Sequence, residues 1–423
     1  MSNRLKWLVT LSGLLLALPG LPSLLGVCGL ALMLLDGDPD ALGFGLSWFV
    51  FMALTLGCGG AAFFHGSRSL GGQPSRPLRL PPIWALGGGF FLALSVGLGL
   101  ESGEFCAPLG LPPVFLAAVL LPPVAAVGWM VDRRPGELTW RQAAVAFSGG
   151  ATVSAGLAIV LEILLPGVVL ALVWGLADLV LPALERLIKA LAGGDVAKAI
   201  TSPGFLFALV HLAVIAPLVE EFVKPLVVLP LLKKLKQPRD ALLLGAVAGA
   251  GFAAIENVVY AGFGLRVWAG ILMVRAMGAA IHPLGAGLTA LGWHDLLHRR
   301  PGAGRNWLER YGLAVGIHTL WNGGSLLVLT LIGANFFGVS PPEVGLLGVT
   351  AGGILLALLA VEGVAVWVGA RTMARRLLSI ESTPPEREVA PIERAIAVWA
   401  VMCLLVLVPA GLAALHSAWW GGG

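Results

Sequence analysis

Eleven apolar stretches dominate this sequence, and most reach the roughly 20 residues that a helix needs to cross a bilayer core of about 30 Å. They fall near 8–35, 41–64, 83–100, 108–131, 142–165, 204–232, 241–261, 267–293, 311–333, 343–370 and 395–416. In lipid every backbone polar group must find a partner within its own segment, so such runs must be helices. The pattern predicts an all-α polytopic membrane protein with about eleven transmembrane helices (ten to twelve). Composition agrees. A soluble domain carries about 25% charged residues, whereas this chain carries 12% and is 58% hydrophobic. That is too little charge to cover a water-facing surface, which excludes a soluble enzyme, a coiled coil and a disordered chain. The net charge of +4 comes without a basic stripe, so nucleic acid is excluded as a partner. The four cysteines form no CxxC pair, which argues against a disulfide framework or a thiolate metal cluster.

Lys and Arg in the loops set the orientation. Clusters at Arg68/Arg76/Arg79, Arg133/Arg134/Arg141, Lys233/Lys234/Lys236/Arg239, Arg299/Arg300/Arg305/Arg310 and Arg371/Arg375/Arg376 read as cytoplasmic. This gives a multi-pass protein of the plasma membrane with its N-terminus in the cytoplasm and a lipid bilayer as its first partner. Residues 176–191 place apolar side chains at i, i+3, i+4 and i+7 with Asp178, Glu185, Arg186 and Lys189 opposite. That stripe predicts an amphipathic helix on the outer surface; a twelfth span over 165–189 is the alternative. Arg4 and Lys6 before the first run also allow a signal peptide, although Pro19 and Pro22 interrupt it. Loops 66–82 and 371–394 read as connectors, and Gly245 and Gly249 form a GxxxG that lets helices approach closely.

Ionisable side chains within lipid are costly and mark function. Here they concentrate in the middle third: Glu220, Glu221, Lys224, Glu256, Arg275, His282 and His318, with Asn257 and Asn322 beside them. At about 1.5 Å per residue from the nearest cytoplasmic charges, Glu220 lies roughly 20 Å deep, Glu256 roughly 24 Å, His282 roughly 18 Å and His318 roughly 12 Å. Residues from four successive spans thus fall in one slab, which predicts a shared buried site. Lys224 is within reach of either glutamate at i+4 or i+3. Glu220 and Glu221 point about 100° apart, so one is expected to face the site while the other supports the fold. Arg275 and His282 lie at i and i+7 on one expected span. His318 and Asn322 are one helical turn apart. Each alone suits a structural ion pair or hydrogen bond. His294 and His298 have zinc spacing, but beside Arg299 and Arg300 they read as a solvated loop. Glu162 lies near a span end and Glu362 is isolated.

The ordered set Glu220-Glu-x-x-Lys224, Phe252-x-x-x-Glu256-Asn257, Arg275…His282 and His318-x-x-x-Asn322 resembles the PrsW family of intramembrane proteases, relatives of the CAAX-prenyl proteases. The resemblance implies a CAAX-protease-like helical catalytic core over 201–335. It leaves 1–200 as an N-terminal membrane region and 336–423 as a C-terminal one. It further implies a bacterial endopeptidase acting on a membrane-anchored protein or peptide, with anti-sigma factors among the family's substrates. Catalytic residues would be Glu220, Glu221, Glu256, His282, His318 and Asn322, supported by Lys224, Asn257 and Arg275. Two mechanisms fit. In one, Glu256, His282 and His318 hold zinc while Glu220 or Glu221 deprotonates its water. In the other a buried glutamate is the base without metal, and His318 with Asn322 meets the oxyanion. A transporter or channel, or a non-catalytic relative that binds membrane proteins, are the competing readings.

Overall fold

Prolines, glycines and small residues decide where the helices bend and which of them touch. The computed structural model describes residues 3–38, 40–101, 107–131, 138–165, 201–232, 235–331 and 346–380, with isolated positions between 166 and 200. The expected helix at 176–191 lies almost entirely outside these residues, and the expected span at 395–416 lies wholly outside them. The helices are α1 (Asn3–Ala17), α2 (Ser23–Leu35), α3 (Ala41–Met52), α4 (Gly59–Leu70), α5 (Ile83–Glu101), α6 (Ala107–Val131), α7 (Trp140–Gly149) and α8 (Ala155–Leu164). They continue as α9 (Pro203–Val210), α10 (Ala216–Val223), α11 (Leu229–Leu232), α12 (Pro238–Phe263), α13 (Trp268–Met277), α14 (Ile281–Leu297), α15 (Ala303–Leu331) and α16 (Leu346–Ile380). Among the described residues there is no strand, only an isolated bridge between Pro77 and Thr139.

Three π-helical turns, Ala53–Cys58, Gly150–Ser154 and His211–Ile215, join α3 to α4, α7 to α8 and α9 to α10. Each pair therefore forms one long span. Among the described residues, eight helical stretches are long and apolar enough to cross a membrane, and a ninth arises if α13 and α14 count as one. The helix Ala303–Leu331 contains most of the expected span 311–333. It is long enough, but it carries Arg305, Glu309 and Arg310 as well as His318 and Asn322.

The ninth span corrects the sequence reading. Apolar continuity predicts one unbroken helix over 267–293, yet the chain bends by 40° between α13 and α14. Gly278 ends α13 with the Trp321 indole pressed against its Cα, and Pro283 sits in the first turn of α14, where its missing N–H costs nothing. Arg275 and His282 consequently sit on two helices rather than on one face of a single helix.

The central helix is α12. Its span is 78% buried, against 12% for the first span and 22% for the last. Lipid supplies no hydrophobic drive between helices, so close packing of small residues must hold them. A β-carbon at Gly245 would meet the Ala286 carbonyl and Ala290, and one at Gly249 would meet the His282 carbonyl. On its other side Gly251 lies against the Phe147 carbonyl of α7. The GxxxG thus seats α14, and with it His282, directly on α12. The outer helix α16 is fastened by two tryptophans: Trp129 donates to the Trp367 carbonyl (2.9 Å), and Trp367 donates to the Met277 carbonyl (3.2 Å) beside the α13–α14 break.

Candidate active site

Helix α10 carries Glu220 and Glu221, and its two ends are shaped by irregular backbone. Before it the π-helical turn His211–Ile215 leaves the Leu212 carbonyl available. After it, Pro225 cannot donate to the preceding turn, and Lys224–Val228 tightens into a 3₁₀ helix. Ser154, from the π-helical turn below α8, spans that join with its hydroxyl 3.2 Å from both the Val223 and Lys224 carbonyls.

The polar side chains form one chain of contacts through the protein. Asn257 donates to the Val119 carbonyl (3.0 Å) and accepts from Arg275. Arg275 pairs with Glu256 (3.0 Å), and Glu256 Oε2 lies 2.8 Å from His282 Nε2. His282 Nδ1 meets Lys224 Nζ at 2.7 Å, and Lys224 also contacts Glu221 Oε1 (2.6 Å) and Glu220 Oε2 (2.9 Å). Glu221 Oε1 accepts from His318 Nδ1 (2.9 Å). Asn322 closes the chain, donating to His318 Nε2 (3.1 Å) and to the freed Leu212 carbonyl (2.9 Å). The ring centroids of His282 and His318 are 4.7 Å apart. Phe252 walls one side, 4.6 Å from Lys224 Nζ.

Both glutamates of α10 face Lys224, so the expected division of one inward and one supporting carboxylate gives way to a pair sharing one cation. The tautomers follow from the partners. An ammonium has no lone pair, so His282 Nδ1 accepts from Lys224 and its Nε2–H faces Glu256. A carboxylate only accepts, so His318 Nδ1–H donates to Glu221 and Nε2 accepts from Asn322. Glu221, Lys224 and His318 have no exposed side-chain surface, whereas Glu256 and Arg275 retain 11% and 12%. The cluster therefore opens on the Glu256 side. Tyr260, one turn beyond Glu256, stacks its ring under the Arg275 guanidinium at 4.6 Å.

The PrsW family intramembrane metalloprotease profile matches residues 138–349, half of the chain. The chain belongs to that family. No curated protein and no solved structure shows significant similarity to it. It is a PrsW-type protease and, with its several apolar helices, a multi-pass membrane protein. The PrsW match takes in α7 and α8 together with every helix that supplies a side chain to the site, including the turn that supplies Ser154.

A PrsW metalloprotease implies a metal, and the donor chemistry here fits one. Ligand atoms of Glu220, His282 and His318 all lie within 4.8 Å of one another. Two imidazoles and a carboxylate are a common zinc set that leaves a fourth position open. Each imidazole is also backed by a carboxylate on its outer nitrogen, His318 by Glu221 and His282 by Glu256, the arrangement that fixes metal-ligating histidines. Glu220 Oε2 is buried without a hydrogen bond of good geometry. Glu256, expected as a ligand, stands instead behind His282.

His294 departs from the solvated loop expected of it, whereas His298 is exposed in the turn that follows α14. His294 is fully buried, with Nε2 2.9 Å from the Leu235 carbonyl. Asp295 beside it is held by Arg310 at 2.6 Å and Arg300 at 3.3 Å. Segment 235–237 and α15 fold over the last turns of α14 and remove water from His294 and Asp295.

Sequence reasoning does not find Ser154 or Tyr260. Ser154 carries no signal, since it acts on backbone carbonyls. Tyr260 does carry one: the chain has only two tyrosines. The other, Tyr311, donates to the Leu218 carbonyl on α10 (2.6 Å).

Proposed function

We propose that this protease hydrolyses a peptide bond within a membrane-anchored protein, with Glu220 as the group that takes a proton from the attacking water. The observation that carries the reading is the meeting of Glu220 Oε2 with two inward ring nitrogens, 4.0 Å from His282 Nδ1 and 3.9 Å from His318 Nε2. Amide hydrolysis needs a base for water, donors for the oxyanion and an acid for the departing amine. Glu220 serves as the base and then returns the proton to the leaving nitrogen. Asn322 Nδ2, beside His318 Nε2, supplies an N–H donor at the same place. Glu221 and Glu256 hold the two imidazoles in their tautomers. Zinc held by Glu220, His282 and His318 would supply Lewis acidity and a more acidic water at this centre.

The substrate class follows from the setting. A centre among membrane helices reaches only a peptide bond brought into the bilayer, which suits membrane-anchored regulators such as anti-sigma factors. The exposed edges of Glu256 and Arg275 make the Tyr260 side the route of approach. Eleven spans, supported by the apolar runs, a cytoplasmic N-terminus, supported by the loop charges, and a bacterial plasma membrane, suggested by the family resemblance, complete the reading. A transporter would need its charged groups along an open passage, whereas Glu221 and Lys224 pair at 2.6 Å with no exposure. The test is cleavage of a co-expressed set of membrane-anchored substrates by wild type and by Glu220→Gln. Cleavage that survives in the variant would sink Glu220 as the base, and an absence of wild-type cleavage would sink the substrate class.

A further inference from the structure

Lys224 stands where a second cation would have to stand. Its Nζ contacts Glu221 Oε1 at 2.6 Å, His282 Nδ1 at 2.7 Å and Glu220 Oε2 at 2.9 Å. Two of those three atoms belong to the residues that would ligate a metal. The conflict at His282 is chemical as well as spatial. An imidazole nitrogen has one lone pair, and here that of Nδ1 is taken by the ammonium. The other ring nitrogen, Nε2, is turned to Glu256 at 2.8 Å. While Lys224 holds Nδ1, His282 has no lone pair to give an ion.

The charge count points the same way. The cluster contains three carboxylates (Glu220, Glu221, Glu256) against two fixed cations (Lys224, Arg275), and Arg275 is committed to Glu256 at 3.0 Å. Lys224 is thus the counter-ion of both glutamates on α10. Buried carboxylates with no such partner would carry a heavy desolvation cost. The lysine is itself fixed. It begins the 3₁₀ turn set by Pro225, its own carbonyl is held by Ser154, and its Nζ rests 4.6 Å from the Phe252 ring centroid.

We propose that Lys224 is a built-in cation that holds the metal-free site together and competes with the metal for it, so that loading requires Nζ to release His282 Nδ1 and Glu220 Oε2. Lys224 is in this sense a positioning residue: it keeps the donors assembled, and its departure gates the metal. The proposal rests on the metal-binding reading of Glu220, His282 and His318, and its readout is metal affinity rather than peptide cleavage.

The experiment is zinc titration of the full-length protein in detergent for wild type, Lys224→Met, Lys224→Gln and Lys224→Arg, with melting temperature followed with and without zinc. Lys224→Gln keeps a donor for Glu221 without the charge, so it serves where the methionine variant fails to fold. The expected result is zinc binding at least tenfold tighter in the neutral variants and no tighter in Lys224→Arg. Zinc should also raise the melting temperature more in the neutral variants than in wild type. A purely structural lysine would leave zinc affinity unchanged or weaken it in every variant, and that result overturns the proposal. Wild-type peptide cleavage is scored separately. If it persists while the affinities fail to shift, the protease reading stands and the competition does not.

Discussion

Glu221 and Gly285 meet across the α10–α14 contact at a separation that no β-carbon would allow: a methyl group built on Gly285 would collide with the Glu221 carboxylate. A site glutamate thus has its place fixed by the absence of a side chain on the next helix. Gly285→Ala should displace that carboxylate from Lys224 and His318 and cost about 1–3 kcal/mol of stability through overpacking. Cleavage should fall at least tenfold, measured with a melting curve on the same preparation. Wild-type activity in a folded Gly285→Ala protein would show that Glu221 does not need this position.

Glu220→Gln bears on two roles at once. A glutamine keeps the shape but takes no proton, so cleavage should drop by orders of magnitude. Because Glu220 also lies in the ligand set, its loss should lower zinc content as well. Metal analysis beside the cleavage assay separates the roles. Full zinc retention in an inactive variant would leave Glu220 as the base alone and require another carboxylate as the third ligand.

Arg275 and Glu256 form a largely buried pair, so removing one partner should hurt more than removing both. Arg275→Met leaves the carboxylate unpaired beside His282, a change worth about 3–5 kcal/mol in buried pairs. Adding Glu256→Gln should recover part of that stability without recovering activity. A double-mutant cycle on melting temperature reads the coupling, and strictly additive losses would refute the pairing.

Helix α12 offers an internal comparison for close packing. Gly249 lies against the His282 carbonyl, whereas a methyl group added to Gly262 on the same helix would meet nothing within 4 Å. Gly249→Ala should therefore destabilise the protein by about 1–3 kcal/mol and impair cleavage. The Gly262→Ala change should be neutral or slightly stabilising, since alanine is the better helix former. Equal melting temperatures for the two variants would argue against the GxxxG contact.

Much of this protein is legible in its sequence because lipid permits so few solutions. Apolar runs locate most of the described spans, although they miss the break within 267–293 and end the last described helix ten residues early. Costly ionisable groups at one depth point to Glu220, Glu221, Lys224, Glu256, His282 and His318. What stays hidden is set by neighbours in space. The bend at Gly278 reads as apolar continuity, because Gly-Ala-Ala looks like helix interior until Trp321 is placed against it. The burial of His294 depends on 235–237 folding over a helix end that carries charges in sequence. The role of Ser154 lies in two backbone carbonyls, which have no residue signature. Even Lys224, picked out by spacing, reads locally as a partner of one glutamate; only the fold brings His282 to it.

The π-helical turn at His211–Ile215 has a consequence for how this membrane span tolerates change. Such a turn holds one residue more than the α-helical turn that would replace it. Deleting a single residue there would mend the helix into an ordinary α-helical turn and leave the faces of α9 and α10 in nearly their present phase, because the π-turn absorbs the extra residue. Glu220, Glu221 and Lys224 would keep one another, since all three lie beyond the bulge. Asn322 would lose the Leu212 carbonyl it holds at 2.9 Å, and the imidazole of His318 would lose its steady neighbour with it. A length change of one amino acid would therefore leave the span in place and withdraw the one carbonyl that steadies Asn322.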